Sequence, residues 1–180
     1  MVRSASGRLL VRLSGLLAAS AGGSGCAGLG QLLGVEAPRF EVASERQSVL
    51  SLDPVSLLSG RPQASLRIWA RVTNPNSFGF TLSRLTGELF LEDNEMAEVD
   101  LPLGLPLLAA RDTVIPLDLR FGLPALDALG SLGEALVRRS SVRYRLDGVL
   151  GVDAGSLGEP TFGPRTWLRG EVDVRTGPGS

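Results

Sequence analysis

The chain has 180 residues, of which 43% are hydrophobic and 21% are charged, a balance that suits one folded domain with a targeting segment rather than an extended disordered protein. All 18 basic residues are Arg and the formal net charge is −1, so the composition does not favour a nucleic-acid partner. With no His, no Lys and one Cys, the chain lacks the usual general base, Schiff-base amine and imidazole ligand. We therefore expect neither an enzyme nor a protein with a metal or other cofactor.

An export signal is predicted at residues 1–25. Arg3, Arg8 and Arg12 form a cationic region, an apolar stretch follows to about residue 21, and small residues come next. The apolar stretch is too short for a stable membrane span. Removal of this segment would leave 15 Arg and 19 acidic residues, a net charge of −4.

Two interpretations of the processing site are open. In one, cleavage follows Ala19-Ser20-Ala21 and Cys26 remains a free thiol in a soluble periplasmic or secreted protein. In the other, Gly-Ser-Gly-Cys is a lipobox and Cys26 becomes the acylated first residue of a bacterial lipoprotein. Gly23 departs from the aliphatic residue usual at its position in a lipobox. We favour lipidation because an unpaired cysteine in an exported chain is otherwise an oxidisable thiol.

The lipoprotein interpretation defines the organisation of the rest of the chain. Residues 26–36 become the acylated cysteine and a tether, which accounts for the Gly-rich sequence at 28–34 better than a phosphate-binding loop does, since no strand precedes it. Residues 37–175 form the folded domain, and the tail at 176–180 is expected to be disordered. The expected location is the bacterial periplasm, anchored to a membrane and preferably to the outer one.

Short strands separated by turn residues are predicted from residue 37 onward. Residues 38–44 alternate weakly, and residues 48–62 contain Pro and Gly breaks typical of an edge or loop segment. The clearest strand covers residues 64–73 and predicts one buried and one solvated face. Its buried face is expected to carry Leu66, Ile68, Ala70 and Val72. Its solvated face is expected to carry Arg67, Trp69 and Arg71.

The next strand, residues 80–93, changes phase in its middle, which predicts a bulge near Ser83 or Arg84. Asp93 and Asn94 are expected to form a hairpin turn. Two strands follow at residues 97–108 and 113–121. The second contains Pro116, which indicates an edge position because proline cannot donate to a ladder.

A single change of period occurs at residues 123–140, where Leu126, Leu129, Leu132 and Leu136 recur at helical spacing. Strand patterns return at residues 141–152 and 165–175, the latter with Leu168, Val172 and Val174 inward. About seven strands with one helical crossover predict an all-β fold. The expected architecture is an antiparallel β-sandwich of immunoglobulin or fibronectin III kind.

The sequence Asn74-Pro75-Asn76 separates two predicted core strands. Pro75 disfavours helical geometry at Asn74 and presets its own φ for a turn. The Asn74 side chain is expected to bond the backbone two residues on, as in an Asx-turn. We therefore interpret these three residues as a structural corner, with a binding role for their amides as the alternative.

The corner and the strands that flank it also resemble a known protein family. An alternating strand ending in Val-Thr-Asn-Pro-Asn, followed by Ser-Phe-Gly-Phe and by the "LTGELFLED" and "TVIPLDLRF" strands, resembles the LEA type 2 family, the water stress and hypersensitive response domain. The likeness covers about residues 37–175, and Asn74, Pro75 and Asn76 match the family hallmark. It implies a β-sandwich with one helix, no catalytic residues and a role in tolerance of desiccation.

Three classes of function follow. The first is a non-enzymatic, lipid-tethered protector that limits aggregation of labile client proteins or stabilises a membrane surface during water loss. The second is an interaction or assembly lipoprotein that binds a partner through a sheet edge. The third, an enzyme, is disfavoured because no nucleophile and base pair stands out.

Two smaller features have competing interpretations. The acidic group at residues 92–95 matches no EF-hand spacing and is expected to be a solvated hairpin tip rather than a Ca²⁺ site. Trp69 and Trp167 lie opposite the apolar faces of their strands. They are expected either to stack together or lie under the helix, or else to mark an interaction patch.

Overall fold

The computed structural model describes residues 34–58, 60, 62–124, 131–138 and 141–176. These residues form an all-β, sandwich-like fold, which confirms the predicted fold class. The strands are β1 Arg39–Val42, β2 Val49–Leu52, β3 Gln63–Thr73, β4 Phe80–Leu91, β5 Asn94–Leu107, β6 Asp112–Gly122, β7 Ser141–Asp153 and β8 Thr161–Thr176. The helices are α1 Pro54–Leu58 and α2 Ser131–Arg138, with a 3₁₀ turn at Gly155–Leu157.

The sheet has the strand order β1-β3-β2-β8-β7-β4-β5, and β6 pairs with β3. β3 pairs along its whole length with β6 on one side, while β1 and β2 share its other side, one after the other. β2 then pairs in parallel with β8 and so links this group to the β8-β7-β4-β5 group. The apolar faces of the two groups enclose one core.

The predicted faces of β3 are confirmed by burial. Leu66, Ile68, Ala70 and Val72 are at most 1% exposed, and the residues between them are half-buried. Each fully buried Leu or Ile side chain contributes about 1.5–3 kcal/mol relative to an exposed one. The strand β3 thus buries one whole face in the core, and it lies between β6 on one side and β1 and β2 on the other.

The predicted bulge in β4 is also confirmed. The pairing of β4 with both of its neighbours shifts register between Leu82 and Arg84. The hairpin turn after β4, however, lies one residue earlier than predicted. Glu92 and Asp93 occupy it with φ values of 46° and 65°, the left-handed conformation that tight hairpins require, and Asn94 already begins β5.

The edge position predicted for Pro116 is confirmed. Within the described part of the chain, β6 pairs only with β3, and Pro116 lies opposite Trp69. Ile115, Leu117 and Phe121 of β6 face the core. The open side of an edge strand tolerates a missing N–H, so the strand continues through the proline.

The prediction for residues 48–62 is wrong in part. β2 is neither a loop nor an edge, because it lies between β3 and β8, and its Leu50 and Leu52 are buried. The Pro and Gly breaks that suggested a loop follow the strand instead: Pro54 begins α1, and Gly60 has a φ of 73°. Four residues were too few to show the alternation of a paired strand.

The predicted helix is described only over α2. Leu136 is buried at 1% exposure, and the exposed side chains of Glu134 and Arg138 form an ion pair at 3.1 Å. Residues 125–130, with Leu126 and Leu129, and the tail from 177 lie outside the described residues. In the described ranges, neither helix is long and apolar enough to cross a membrane.

Candidate functional site

The Asn-Pro-Asn corner, residues 74–76, follows the end of β3. Asn74 is completely buried and Asn76 is 5% exposed, which is unusual for amide side chains. The Asn76 backbone N–H donates to Asn74 Oδ1 at 2.9 Å. This is the hydrogen bond that the Asx-turn interpretation requires.

The Asn74 side chain connects the corner to the loop between β5 and β6. Its Nδ2 donates to the carbonyl oxygens of Phe78 at 2.8 Å and Leu108 at 3.1 Å. The Asn74 backbone N–H donates to the carbonyl of Arg111, and the Asn76 carbonyl accepts from the N–H of Ala110. Both sides of the corner are therefore tied to the same loop.

The Asn76 side chain connects the corner to the segment before β1. Its Oδ1 accepts from the Glu36 N–H at 2.8 Å, and its Nδ2 donates to the Glu36 carbonyl at 2.9 Å and to Asn74 Oδ1 at 3.0 Å. An amide has two donor hydrogens and an acceptor oxygen, and here each of these is used. Such a network stabilises three segments of backbone, and it leaves the amides engaged within the protein rather than facing a ligand.

The hairpin tip between β4 and β5 is held by ion pairs. The Arg143 guanidinium donates to Glu92 Oε2 at 2.7 Å and its backbone N–H to Oε1 at 2.8 Å. These bonds lower the pKa of Glu92, the side-chain bond being the main cause. Among the described residues, no group of three or more His, Cys, Asp or Glu side chains is arranged to hold a metal.

A surface cavity of about 440 Å³ lies beside this tip. Its lining residues are Phe90, Asp93, Arg143, Tyr144, Arg145, Arg169, Gly170 and Glu171. Arg145 donates to Asp147 at 2.8 Å, and its guanidinium carbon lies 4.3 Å from the Phe90 ring centroid. Two of the three arginines are thus bound by the protein's own groups, and the cavity presents mixed charge.

Tyr144 lines the cavity but is only 3% exposed. Burial raises its pKa to about 12, so the phenol stays neutral near pH 7. Its hydroxyl has no hydrogen-bond partner within the described residues. The ring packs against Gly170, where an added Cβ would lie 3.2 Å from it, so any residue larger than glycine at this position would require the ring to shift.

The two tryptophans have different partners. Trp167 is buried, and its ring contacts that of Phe40 edge to face with 5.4 Å between the ring centroids. Its Nε1 donates to the Gly148 carbonyl at 2.9 Å. Trp69 is half-buried, and the Arg46 guanidinium lies 4.2 Å from its ring centroid. The expectation that Trp167 lies opposite the apolar face of β8 is wrong, because a register shift between β7 and β8 turns it inward beside Leu168.

The remaining predicted site residue, Cys26, lies outside the described residues, as does most of the 28–34 segment. The nearest described residue, Gly34, has a φ of 69°. It precedes Glu36, which is bonded to the Asn-Pro-Asn corner. The chain that would carry the lipid therefore enters the fold at this corner.

The solved structures that are similar to the chain include the following three. A solution structure from Arabidopsis thaliana is 19% identical, with 76% of this chain and 85% of that chain covered and a TM-score of 0.47. A crystal structure of a protein from Archaeoglobus fulgidus is 13% identical, with 77% and 96% covered and a TM-score of 0.40. A solution structure of a late embryogenesis abundant protein is 17% identical, with 82% and 77% covered and a TM-score of 0.46.

No curated protein matches the chain. A family model described as "Late embryogenesis abundant protein" matches residues 70–165, more than half of the chain. The match runs from the second half of β3, through the Asn-Pro-Asn corner, into β8. The chain belongs to the LEA_2 family of late embryogenesis abundant proteins.

Proposed function

We propose that the protein is a non-enzymatic protector against water stress, tethered to a membrane by lipid at Cys26, which limits aggregation of labile client proteins or stabilises membrane surfaces. The observation that carries this proposal is membership of the LEA_2 family, which supports a water-stress-related role at the level of the family. The family is generally non-enzymatic.

The surface of the domain is consistent with such a role. Ion pairs such as Arg67 with Asp118 and Arg84 with Asp100 are exposed, with side-chain exposures between 41% and 61%. Exposed pairs of this kind contribute little to stability, but a charged surface of mixed sign stays soluble beside apolar material. Protection would then depend on the folded surface as a whole and would need no single reactive group.

The test of protection uses the domain without signal or lipid. It should lower the aggregation of an unrelated labile enzyme during drying or heating, in proportion to its concentration and without nucleotide or metal. Light scattering and recovered enzyme activity would measure this. The control is an immunoglobulin-like domain of similar charge from outside the family, and equal protection by that control would remove the support for this function.

Lipid tethering is the second part of the proposal, and the expected location is the periplasmic face of a bacterial membrane. Glu36, which is bonded to Asn76, lies ten positions after Cys26. Such a segment spans at most about 35 Å when fully extended. A lipid on Cys26 would thus hold the corner end of the domain within about 35 Å of the bilayer.

Labelling of cells with a fatty-acid analogue tests the anchor. The protein should take up the label and sediment with membranes, whereas Cys26→Ser should do neither, and this substitution removes the only thiol of the chain. A mature protein that begins at Gly22 with a free Cys26 thiol would show that the lipid anchor is wrong. It would leave the protective role of the domain intact.

A further inference from the structure

The strand β5 lies at an outer edge of the sheet, and part of its free side is not blocked by a bulge. Within the described residues, β5 pairs only with β4 along its 14 residues. Its pairing shifts register twice, between Leu82 and Arg84 and between Leu89 and Phe90 of β4. Bulges protect sheet edges from further pairing. Between them, residues 97–102 remain in regular register with β4, and this stretch is called the open edge below.

The backbone of the open edge presents hydrogen-bonding groups away from the sheet. Pro102 has no N–H, and a ladder tolerates a proline where its nitrogen faces away from the neighbouring strand. The direction of hydrogen bonding alternates along an antiparallel strand. Glu98 and Asp100 therefore share the orientation of Pro102, and their N–H and C=O groups face outward.

The inner side of the open edge is apolar and only partly covered. Val99 is buried, whereas Ala97 and Leu101 are half-buried although they pack against the core. Another strand beside β5 would place alternate side chains over these residues. Burial of apolar surface of this kind stabilises the added strand by roughly 25 cal/mol per Å².

The outer side of the open edge carries the carboxylates of Glu98 and Asp100, and Asp100 is paired with Arg84 of β4 at 2.8 Å. Glu98 lies directly opposite Glu88 of β4, and Glu95 lies opposite Phe90. The three glutamates are exposed, and in the described part of the chain none of them forms an ion pair. Like charges directly opposite each other destabilise a strand pair, so this arrangement favours a cationic neighbour.

We propose that the open edge binds an extended peptide segment as an additional antiparallel or parallel strand, and that the segment alternates aliphatic side chains with Arg or Lys. The aliphatic side chains would cover Val99 and Leu101, and the cationic ones would lie beside Glu98. Main-chain hydrogen bonds supply affinity in this mode and alternate side chains supply specificity. A second copy of β5 fits poorly, because it would bring Glu98 and Asp100 against carboxylates of the same kind.

The proposal names a partner beyond the protective role and does not depend on it. A short synthetic peptide of alternating Val and Arg serves as the probe, with alternating Val and Glu as the control peptide. In the full chain, binding should slow the amide hydrogen exchange of Glu98 and Asp100. Fluorescence anisotropy of the labelled peptide gives the Kd.

The decisive variant is Glu98→Arg. It should weaken binding of the Val-Arg peptide by roughly tenfold or more, and it should not lower the thermal unfolding temperature, because it places opposite charges across from each other at Glu88. The matched control, Glu159→Arg, makes the same charge change in the exposed loop before β8 and should bind as the unmodified chain does.

Two results would overturn the proposal: equal affinity of the Glu98→Arg and Glu159→Arg variants, or peptide binding without slower exchange at Glu98 and Asp100. Concentration-dependent self-association that Glu98→Arg abolishes would show that a second copy, and not a peptide, occupies the edge. Aggregation protection by a chain that binds no peptide would reject this partner and leave the protective role standing.

Discussion

Asn74 and Asn94 make the same kind of contact in different surroundings. The Nδ2 of Asn74 donates to the carbonyls of Phe78 and Leu108, at 2.8 and 3.1 Å. The Nδ2 of Asn94 donates to the carbonyls of Leu91 and Glu92, at 3.3 and 3.1 Å. Asn74 is completely buried and Asn94 is exposed. Because the Asn74 side chain is buried, water replaces its bonds less readily than those of Asn94, so the loss of similar bonds should cost more at the corner.

The largest expected effect is that of Asn74→Ala. It leaves the carbonyls of Phe78 and Leu108 and the N–H of Asn76 without the partner that the buried Asn74 side chain supplies. Each unsatisfied buried group costs about 1–3 kcal/mol, so the free energy of unfolding should fall by at least about 3 kcal/mol. Urea unfolding followed by circular dichroism measures it.

Asn94→Ala is the matched control for that substitution and removes the same number of side-chain bonds to carbonyls. Its cost should stay within about 0.5 kcal/mol, as for most surface substitutions. A cost at Asn94 equal to that at Asn74 would mean that burial does not distinguish the two turns.

Asn76→Ala should have the next largest effect, a loss of about 1–3 kcal/mol. The substitution breaks both bonds to Glu36 and so releases the segment before β1 from the corner. Amide exchange of Glu36 should become faster than in the unmodified chain, whereas exchange in the centre of β3 serves as the internal reference. Unchanged protection at Glu36 would show that β1, and not Asn76, holds this segment.

Pro75→Ala tests the contribution of the turn backbone alone. The substitution widens the conformational freedom of the unfolded chain and should cost about 0.4–1 kcal/mol if the turn keeps its geometry. The Asn74 and Asn76 bonds are retained, so hydrogen exchange at Glu36 should stay slow. A loss as large as that of Asn74→Ala would show that the proline also shapes the network.

The smallest expected effect lies at the hairpin and depends on pH. The pKa of Glu92 is lowered from its ordinary value of 4.5 by the bonds from Arg143. A lowered pKa stabilises the fold above the ordinary value, and this stabilisation is lost as pH falls through the lower pKa of the folded state. Glu92→Gln should therefore reduce the loss of stability on acidification below about pH 4.5.

Unfolding curves from about pH 6 to pH 3 measure this effect. Glu159→Gln, at an exposed carboxylate of the loop before β8, is the control and should follow the unmodified chain. The curve of Glu92→Gln should instead fall less steeply towards low pH. Parallel curves for the unmodified chain, Glu159→Gln and Glu92→Gln would mean that the ion pair of Glu92 with Arg143 has no role in stability.

Much of the fold could be predicted because it depends on local chemistry. Three such features depend only on neighbouring residues: the alternation in β3, the phase change at Ser83 and Arg84, and the edge position of Pro116. The hydrogen bond from the Asn76 N–H to Asn74 Oδ1 spans two residues and follows from Asx-turn chemistry. Periodicity and turn propensity are sufficient for such features.

Features that join distant parts of the chain were decided by the tertiary structure. The bond between Asn76 and Glu36 spans 40 residues, and β2 became an internal strand because β8 pairs with it from the other end of the domain. Gly148 lies opposite Gly87, and an added Cβ on Gly148 would lie 2.1 Å from the Thr86 carbonyl oxygen. No pattern in the sequence predicts these contacts between distant segments.

By itself, then, the sequence determined which residues alternate, turn and face the core, since these depend on side chains a few positions apart. Only the tertiary structure decided that Trp167 turns inward through a register shift and that the corner amides are buried and fully bonded. It also decided that residues 97–102 keep a side that no other described strand pairs with. The physical reason is that burial and strand register depend on which segments meet, and these meetings are set by the packing of the whole domain.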